Sequence, residues 1–408
     1  MPAEAEHIHP PAPTRSAYDL VVIGAGVIGL SCAWRAAQAG LSVLVFERDA
    51  PGAGATGVAA GMLAPITEAD FGEEALLELN LRGRGLWGGF AAELEELTGM
   101  ASGYADGGAL VVAADRDDRE ELHRLHDFQR RLGLDATWLT TRECRALEPG
   151  LAPRVGGAIL APQDGQVNPR AVVRALTAAL RSAGGELICA AEVTSLETAG
   201  GRVTGVRADG DRSAAASAVL VAAGAWSNGG GLASGCGAPA LRPVKGQLLE
   251  LRVRRGHLPP AKRLIRTPRC YIVTRGGGGG SSSSSGGEGA AVHRVVIGAT
   301  MEEQGFDTSV TAEGVFGLLE AAREVLPEVG ELELLSARAG LRPSTPDNAP
   351  AIGRGGPDGL LWATGHHRNG VLLAPLTARL IVDLLRGGPT PPELHAFDPD
   401  RFDSLRVV

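Results

Sequence analysis

At residues 18–29 the chain reads Tyr-Asp-Leu-Val-Val-Ile-Gly-Ala-Gly-Val-Ile-Gly; an alanine-rich stretch follows up to Gly40, and then an apolar run that ends at Glu47. The run Leu20–Ile23 is typical of a strand buried on both faces, and the alanine-rich stretch is typical of a helix. Gly40 favours a helix end, and residues 42–46 are typical of a second strand. The order predicts a strand, a tight turn, a helix and a parallel return strand.

The glycines of this unit and its terminal acid suit a dinucleotide site. Gly24 permits the tight turn, Gly26 lets the backbone approach a pyrophosphate at the helix N-terminus, and Gly29 lets helix and strand pack closely. Glu47 can accept hydrogen bonds from both ribose hydroxyls, and its charge argues against a 2′-phosphate. A loop that merely needs glycine is the alternative for the fingerprint alone. In its strand–helix–strand context the fingerprint predicts dinucleotide binding, without separating FAD from NAD.

Composition indicates a folded chain of two domains. Glycine accounts for 58 of the 408 residues, hydrophobic residues for 44 per cent and charged residues for 21 per cent. The last two fractions match a globular protein and not a disordered or collagen-like one. The length exceeds the roughly 250–300 residues at which a single core stops growing. With 39 basic and 47 acidic residues, a net charge of −8 and no basic run, the sequence argues against nucleic-acid binding.

Signals for disulfides, metals and membranes are weak. The five cysteines lie singly, without a C-x-x-C pair, which argues against a disulfide framework or zinc ribbon and favours a reducing compartment. The N-terminus lacks the pattern of a secretory signal, and the longest apolar stretch, Leu20–Leu30, is short and broken by three glycines. His123 and His126 lie in a charged helical segment without a third ligand. We therefore expect a cytoplasmic enzyme with no membrane span and no metal.

Three further segments are rich in small residues or end in them. Residues 48–65 are almost entirely small, residues 219–227 form an apolar strand that ends in small residues, and residues 365–375 lead into the helix-like run Leu376–Leu385. Such segments let main chain lie against a flat ligand, although a flexible loop is the alternative. A helix N-terminus at the last segment could stabilise negative charge on a reduced isoalloxazine.

Together these stretches resemble the D-amino-acid oxidase family of flavoproteins, and within it the glycine oxidases of the thiamine pathway. The resemblance covers most of the chain and rests on residues 18–47, 55–65, 242–247 (Arg-Pro-Val-Lys-Gly-Gln), 340–347 and 365–375. It implies FAD as a noncovalent cofactor, since no cysteine lies beside residues 342–347, where sarcosine-oxidase relatives carry theirs. It also implies oxidation of a small amine at its α-carbon.

The resemblance implies an α/β fold, α+β overall, with two domains woven through one chain. A Rossmann-like FAD-binding domain is expected at residues 18–72, 149–238 and 333–400. A substrate domain with a mainly antiparallel sheet is expected at residues 73–148 and 239–332, with strands near Gly246–Val253, Cys270–Thr274 and Val292–Ala299. Residues 1–17 are predicted to be a disordered tail, and residues 276–289 a flexible Gly/Ser loop at the surface.

Three side chains are candidate substrate contacts by the same resemblance. Arg342 matches the position that clamps the substrate carboxylate, and a guanidinium suits that task because it binds carboxylate bidentately. Arginine makes up 37 of the 39 basic residues, so composition alone would not single Arg342 out. Tyr271 matches a substrate-contacting hydroxyl, with a core tyrosine as the alternative; Arg368 is expected beside flavin and substrate, with a helix-terminus salt bridge as the alternative. Arg338 and His367 stand where relatives often carry an aromatic residue, which implies a different pocket wall.

The predicted cofactor-binding residues come from the same segments as the fingerprint and the small-residue stretches, with one further position where the family contacts adenine through main chain. They are Gly24, Gly26, Val27, Ile28, Gly29, Glu47, Arg48, Ala55, Thr56, Gly61, Met62, Val193, Ala223, Gly224, Trp226, Gly365, His366, Arg368, Asn369, Gly370, Val371 and Leu372.

The expected reaction is hydride transfer from the α-carbon of glycine, or of sarcosine or a small D-amino acid, to flavin N5. Positioning and electrostatics would supply most of the catalysis, and no protein base is strictly required. Dioxygen would be reduced to hydrogen peroxide, and the imine would hydrolyse to glyoxylate and ammonia or pass to a thiazole synthase. A dehydrogenase with another electron acceptor and a dinucleotide-binding protein without turnover are the alternatives. A homo-oligomer is expected.

Overall fold

The computed structural model describes residues 12–229, 232, 236–254, 256–276 and 293–405, without the side chains of residues 403–405. The predicted Gly/Ser loop lies outside the described residues except for Gly276, and so do residues 1–11 of the predicted tail. Residues 14–17 differ from the disordered tail that the sequence predicts. The Thr14 N–H donates to the Glu186 carboxylate at 3.0 Å, and the first strand already begins at Ala17.

Within the described ranges the helices are α1 (Val27–Gln38), α2 (Glu74–Thr98), α3 (Arg116–Arg131), α4 (Thr141–Leu147), α5 (Pro169–Ser182), α6 (Ala312–Val325) and α7 (Gly370–Leu385). The strands are β1 (Ala17–Ile23), β2 (Val43–Phe46), β3 (Met62–Leu63), β4 (Ala109–Val112), β5 (Thr137–Leu139), β6 (Ala158–Ala161), β7 (Gly165–Gln166), β8 (Glu186–Ile188), β9 (Val193–Ala199), β10 (Arg202–Ala208), β11 (Arg212–Val221), β12 (Arg242–Arg252), β13 (Leu264–Arg266), β14 (Tyr271–Arg275), β15 (Arg294–Gly298), β16 (Glu333–Ser344), β17 (Ala351–Arg354) and β18 (Leu360–Thr364).

The first sheet has a parallel core of five strands, in the order β8, β2, β1, β11 and β18. Strand β17 pairs antiparallel with β18, and β10 and β9 continue antiparallel from β11. Side chains of β1 alternate between two cores. Leu20 and Val22 pack with α1, α2, α5 and α7, whereas Val21 and Ile23 pack on the opposite face beside β10. The predicted strand–turn–helix–strand unit is confirmed, because a parallel sheet covered on both faces needs such continuous apolar strands.

The second sheet is mainly antiparallel, in the order β16, β12, β15, β14, β13, β4, β6 and β5; only β13 and β4 pair in parallel. One of its faces packs on α6 through residues such as Leu249, Ile272 and Ile297. The opposite face carries Leu248, Val273 and other apolar side chains that pack on residues 58–62 of the small-residue segment. The predicted fold class, a Rossmann-like unit plus a domain with a mainly antiparallel sheet, is confirmed.

Two strands of the second sheet come from ranges that the sequence analysis placed in the FAD-binding domain. They are β6 and β16, in the ranges 149–238 and 333–400. Strand β16 pairs with β12 over its full length, from Arg242 opposite Ser344 to Arg252 opposite Glu333. These strands therefore pair across the predicted domain bounds, which stay a prediction; pairing partners so distant in the chain leave no local signal in the sequence.

Helix ends follow the expected local chemistry. Helix α5 begins where the Asn168 side chain accepts from the Ala171 N–H and Pro169 occupies the first turn. Helix α7 begins at Gly370, six residues before the predicted start, since Pro375 in its second turn does not end it.

No helix in the described part of the chain combines the length and the apolar character needed to cross a membrane.

Candidate active site

A cavity of about 1000 Å³ lies between the two sheets. Its walls include the residues that follow β1, β2, β11 and β18 at their carboxyl ends, where ligands bind in open parallel sheets. The facing wall comes from the second sheet, through residues of β12, β14 and β16. The volume is at the upper end of the range for small-molecule sites, which suits a dinucleotide together with a small substrate.

The glycine fingerprint forms the entrance to α1. Gly24 has φ +104°, and a Cβ there would come within 2.6 Å of the Ala222 carbonyl oxygen. A Cβ at Gly29 would overlap the carbonyl oxygen of Gly24, so Gly29 permits close packing and lies behind the cavity wall. Gly26 faces the cavity, and Thr56 Oγ1 at 3.4 Å is the nearest atom that a Cβ there would meet. The N-terminus of α1 thus lies at the cavity, as a pyrophosphate site requires, and its Val27 N–H donates to Thr56 Oγ1 at 3.1 Å.

Glu47 follows β2 directly, lies at the cavity wall and is fixed by two backbone donors. Its carboxylate accepts from the Ala25 N–H at 2.7 Å and from the Asp49 N–H at 2.9 Å. A carboxylate offers about four lone-pair sites, so two remain for ribose hydroxyls. Beside it, the Arg48 guanidinium lies 4.5 Å from the ring centroid of Trp226, which also lines the cavity. These residues fit the adenosine part of a dinucleotide.

Most of the other predicted cofactor residues also line this cavity: Val27, Ile28, Ala55, Thr56, Gly61, Met62, Val193, Ala223, Gly224, His366, Arg368, Gly370 and Val371. Gly365, Asn369 and Leu372 do not. The Leu372 carbonyl accepts from the buried Trp87 indole at 2.9 Å, so this residue supports the start of α7 from behind. Asn369 at the N-cap makes no side-chain capping bond, which leaves the first turn of α7 free to face a ligand.

Arg342 differs from the other arginines of the cavity wall in its partners. Among the described residues, Arg48, Arg266, Arg269 and Arg368 each pair with a carboxylate. Arg342 instead donates to the Thr300 carbonyl at 3.1 Å and has no carboxylate partner in the described part of the chain. A half-buried guanidinium in that position favours an anionic ligand, because its charge is otherwise uncompensated.

Tyr271 lines the same end of the cavity, on β14. Burial raises the pKa of its phenol above the ordinary value of 10, and the positive charge of Arg342 opposes the shift without reversing it. The phenol therefore stays protonated at neutral pH and can donate a hydrogen bond. Strand register places Tyr271 and Arg342 on one face of the second sheet. Tyr271 reaches Leu248 of β12 through directly opposed pairs, and Arg342 stands opposite Val244. Leu248 and Val244 are four residues apart on β12, so their side chains lie on the same face.

Two glycines that the sequence analysis did not assign to the site make room for these side chains. A Cβ at Gly246 would come within 2.5 Å of the Arg342 guanidinium, and a Cβ at Gly298 would overlap the Tyr271 hydroxyl. Gly298 stands directly opposite Tyr271, whereas Gly246 is two residues beyond Val244, the partner of Arg342. The signal available in the sequence was the glycine inside the strand Arg242–Arg252, since glycine in a strand often marks a close approach.

The neighbours of Gly246 point to the other face and hold the segment that carries Thr300. Lys245 is buried, and its Nζ lies 2.6 Å from an Asp307 carboxylate oxygen. The Gln247 N–H donates to Thr300 Oγ1 at 2.8 Å, and the Gln247 side chain donates to Glu302 at 2.7 Å. Residues 245–247 thus fix the carbonyl that Arg342 contacts, which gives the Arg-Pro-Val-Lys-Gly-Gln stretch a physical role.

Arg368 lines the cavity, but its charge is already compensated. Its guanidinium lies 2.7 Å from Glu73 and 3.2 Å from Glu68, in the segment that precedes α2. Glu68 also pairs with Arg266 of β13 at 2.8 Å, so the carboxylate joins the two domains. These contacts agree with the salt-bridge alternative for Arg368. A substrate contact by this residue stays a prediction.

The two departures from the family pattern have different outcomes. Arg338 does not line the cavity and pairs with the buried Glu250, so the expectation that it alters the pocket wall is wrong. Arg338 lies four residues along β16 from Arg342, and its guanidinium is engaged by Glu250 instead. His367 does line the cavity. It has φ +44°, and its Nδ1 finds no hydrogen-bond partner among the described residues.

Histidines 366 and 367 make stability depend on pH. Burial lowers the pKa of each to about 3, and for His367 the positive Arg342 and Arg368 add to the effect. Because the folded pKa lies below the unfolded value of about 6.5, stability is fully present above pH 6.5 and falls as the pH approaches 3. At pH 5 each histidine should lower the free energy of unfolding by roughly 2 kcal/mol.

This expectation is checked by urea unfolding, with excess FAD, at pH 7.5 and 5.0. His366 is the residue to replace, because its ring is buried and its Nε2 contacts Thr377 Oγ1 of α7 at 3.0 Å. We expect His366→Gln to lose less stability than the unsubstituted protein between the two pH values. His257→Gln, at an exposed position, is the control and should retain the full loss. An equal loss in His366→Gln would contradict the assignment.

Comparisons with known proteins agree with this geometry. A family model described as FAD dependent oxidoreductase (DAO) matches residues 19–384. The glycine oxidase of Geobacillus kaustophilus is 33% identical over 96% of this chain and 97% of that protein. The crystal structure of glycine oxidase from Geobacillus kaustophilus superposes with a TM-score of 0.85, covering 95% of this chain and 99% of that one.

A further relative is longer than this chain. The bifunctional protein ThiO/ThiG of Synechocystis sp. is 35% identical over 94% of this chain, but the match covers 54% of that protein. This chain therefore spans about half the length of the bifunctional relative and nearly the whole length of the glycine oxidase.

Proposed function

This chain belongs to the DAO family of FAD-dependent oxidoreductases, and on that premise we propose that it oxidises glycine, with sarcosine and small D-amino acids as possible further substrates. Glycine and water would react with dioxygen to give glyoxylate, ammonia and hydrogen peroxide. The observation that carries the proposal is the uncompensated Arg342 guanidinium beside the protonated Tyr271 phenol, on the cavity wall that the second sheet forms.

In this proposal Arg342 binds the substrate carboxylate with two parallel N–H donors, and Tyr271 donates to the same group. Anchoring the carboxylate fixes the α-carbon and the amino group of a substrate as small as glycine, since few rotatable bonds remain. FAD, when bound, supplies the acceptor for the hydride that leaves the α-carbon. The chain contributes position and charge, which is where most of the rate enhancement in such a site arises.

The residues present fit FAD. Gly24, Gly26 and Gly29 open the N-terminus of α1, Glu47 keeps free lone pairs, and the first turn of α7 is uncapped by a side chain. The positive end of α7 favours negative charge at the neighbouring part of a flavin ring. Arg368 is proposed to act indirectly, by pairing with Glu68 of the cavity wall and with Glu73, in addition to the substrate contact predicted from the sequence.

Two further parts of the proposal rest on the relatives. The glycine oxidase and ThiO/ThiG names suggest that the product imine or glyoxylate supplies thiamine thiazole synthesis, with a thiazole synthase as partner. The homo-oligomer, in contrast, stays a prediction from the sequence.

The deciding experiment mixes the purified, FAD-loaded protein with glycine, sarcosine, D-alanine and L-alanine in the absence of oxygen. We expect glycine to remove the absorbance of oxidised flavin, and L-alanine to leave it unchanged. Admission of air should then restore the absorbance and release one peroxide per substrate consumed. Flavin that is reduced but not reoxidised by air would indicate the dehydrogenase alternative, and flavin reduced by none of the amines would overturn the proposal.

A further inference from the structure

A buried acid of the second sheet lies at the centre of an arginine cluster outside the cavity. Glu250 of β12 is 5% exposed. Its carboxylate pairs with Arg294 and Arg338, both in close contact, and lies 3.5 Å from Arg170 Nη1. Arg275 of β14 is also held in its field. We call these five residues the Glu250 cluster; none of them lines the cavity.

Two arginines of the Glu250 cluster reach the main chain of the small-residue segment. Arg170 donates to the Gly57 carbonyl through Nε at 3.0 Å and through Nη2 at 2.8 Å. Arg275 Nη2 donates to the carbonyl of Ala60 at 2.7 Å and to that of Ala59 at 3.3 Å. We call residues 57–61 segment 57–61. Its carbonyl oxygens at Gly57, Ala59 and Ala60 thus point toward the arginines.

This arrangement fixes the direction of the neighbouring N–H groups. In a planar trans peptide the N–H of the next residue points opposite to the carbonyl. The carbonyls of Ala59 and Ala60 therefore aim the N–H groups of Ala60 and Gly61 away from the arginines, and both of these residues line the cavity. No acceptor for either N–H is present among the described residues. A buried donor without an acceptor is costly, so these two groups favour a ligand that accepts hydrogen bonds.

We propose that Glu250 is a positioning residue for the cofactor: through Arg170 and Arg275 it holds segment 57–61 so that the Ala60 and Gly61 N–H groups donate to the bound flavin. The inference concerns FAD binding and holds whichever amine is the substrate. Charge makes Glu250 the key member, because one carboxylate offsets four guanidinium groups that otherwise repel one another. Arg275 shows the effect of this crowding of positive charge, because burial and the neighbouring arginines lower the pKa of its guanidinium to about 10.

The test measures how tightly the apoprotein binds FAD. Glu250→Gln keeps the shape of the side chain and removes its charge, and Arg275→Lys keeps a charge but loses the planar fork that spans two carbonyls. The dissociation constant is obtained by titrating FAD into each apoprotein and following the quenching of flavin fluorescence. We expect it to rise about tenfold in both variants, and the visible spectrum of the bound flavin to shift.

Glu333→Gln is the matched control. Glu333 lies on the same sheet and pairs with Arg252 at 2.5 Å, but the pair is about half exposed and distant from segment 57–61. The Glu333→Gln variant should bind FAD as tightly as the unsubstituted protein does. Unchanged FAD affinity and an unchanged spectrum in Glu250→Gln and Arg275→Lys would overturn the proposal, even if both variants unfold at a lower temperature. Should Glu250→Gln fail to fold, Arg275→Lys alone decides between the two outcomes.

Discussion

Replacement of Arg342 by alanine is expected to lower kcat/KM for glycine by about a thousandfold while FAD stays bound. The variant loses two charge-assisted hydrogen bonds to the substrate carboxylate, each worth roughly 1.5–3 kcal/mol. A loss of about 4 kcal/mol corresponds to a factor of about 10³. Most of the change should appear in KM, since the carboxylate is bound before and during hydride transfer. Steady-state kinetics and the flavin spectrum give both readouts.

Two variants sharpen this test. Arg269→Ala removes another arginine of the cavity wall, one that already pairs with Glu320 and Glu324, and should change kcat/KM less than threefold. Arg342→Lys should recover only part of the lost activity, because an ammonium cannot bind a carboxylate through a planar fork. If Arg342→Ala oxidises glycine as fast as the unsubstituted enzyme, the carboxylate anchor lies elsewhere.

Replacement of Gly246 by alanine is expected to lower kcat/KM by about a hundredfold without loss of FAD. The new methyl group would come within 2.5 Å of the Arg342 guanidinium, which must then move. Displacement of a positioning group by about 1 Å can cost a factor of about 10² in rate. Neither the charge nor the donors of Arg342 change, so this variant separates position from chemistry. Kinetics with glycine and an FAD titration measure the two effects.

Gly85→Ala is the matched control for the added methyl group. Gly85 lies exposed in the middle of α2, and a Cβ there meets nothing within 4 Å. The substitution should leave kcat/KM unchanged and raise the free energy of unfolding by up to about 1 kcal/mol, since alanine favours a helix over glycine. A Gly246→Ala enzyme with normal kinetics would show that Arg342 does not need this space.

Local patterns were sufficient to predict the nucleotide end of the site. The run Leu20–Ile23, the three fingerprint glycines and Glu47 are neighbours in the chain, so their spacing already determines a buried strand, a tight turn and an open helix N-terminus. Steric exclusion at Gly24 and Gly29 and the backbone donors on Glu47 then agree with the roles predicted for them.

The proposed substrate end of the site was predictable only through family resemblance. Arg342 is one arginine among 37, and composition does not distinguish it from Arg269 or Arg368. What distinguishes it is the absence of a carboxylate partner among the described residues, whereas Arg368 contacts Glu68 and Glu73. Ion pairing is set by which side chains the fold brings together, so no local pattern could have shown it.

Residue order alone was enough to predict the strand–turn–helix–strand unit, the glycines that the turn requires and the small residues that let main chain approach a flat ligand. The three-dimensional contacts were needed to show which arginine keeps a free charge, that Gly246 and Gly298 make space for Arg342 and Tyr271, and that Arg170 and Arg275 contact segment 57–61 from behind. Distance along the chain explains this difference. Steric requirements of the backbone act between near neighbours. Charge compensation and strand register, in contrast, join residues that are about a hundred positions apart, such as Gly57 and Arg170 or Gly246 and Arg342.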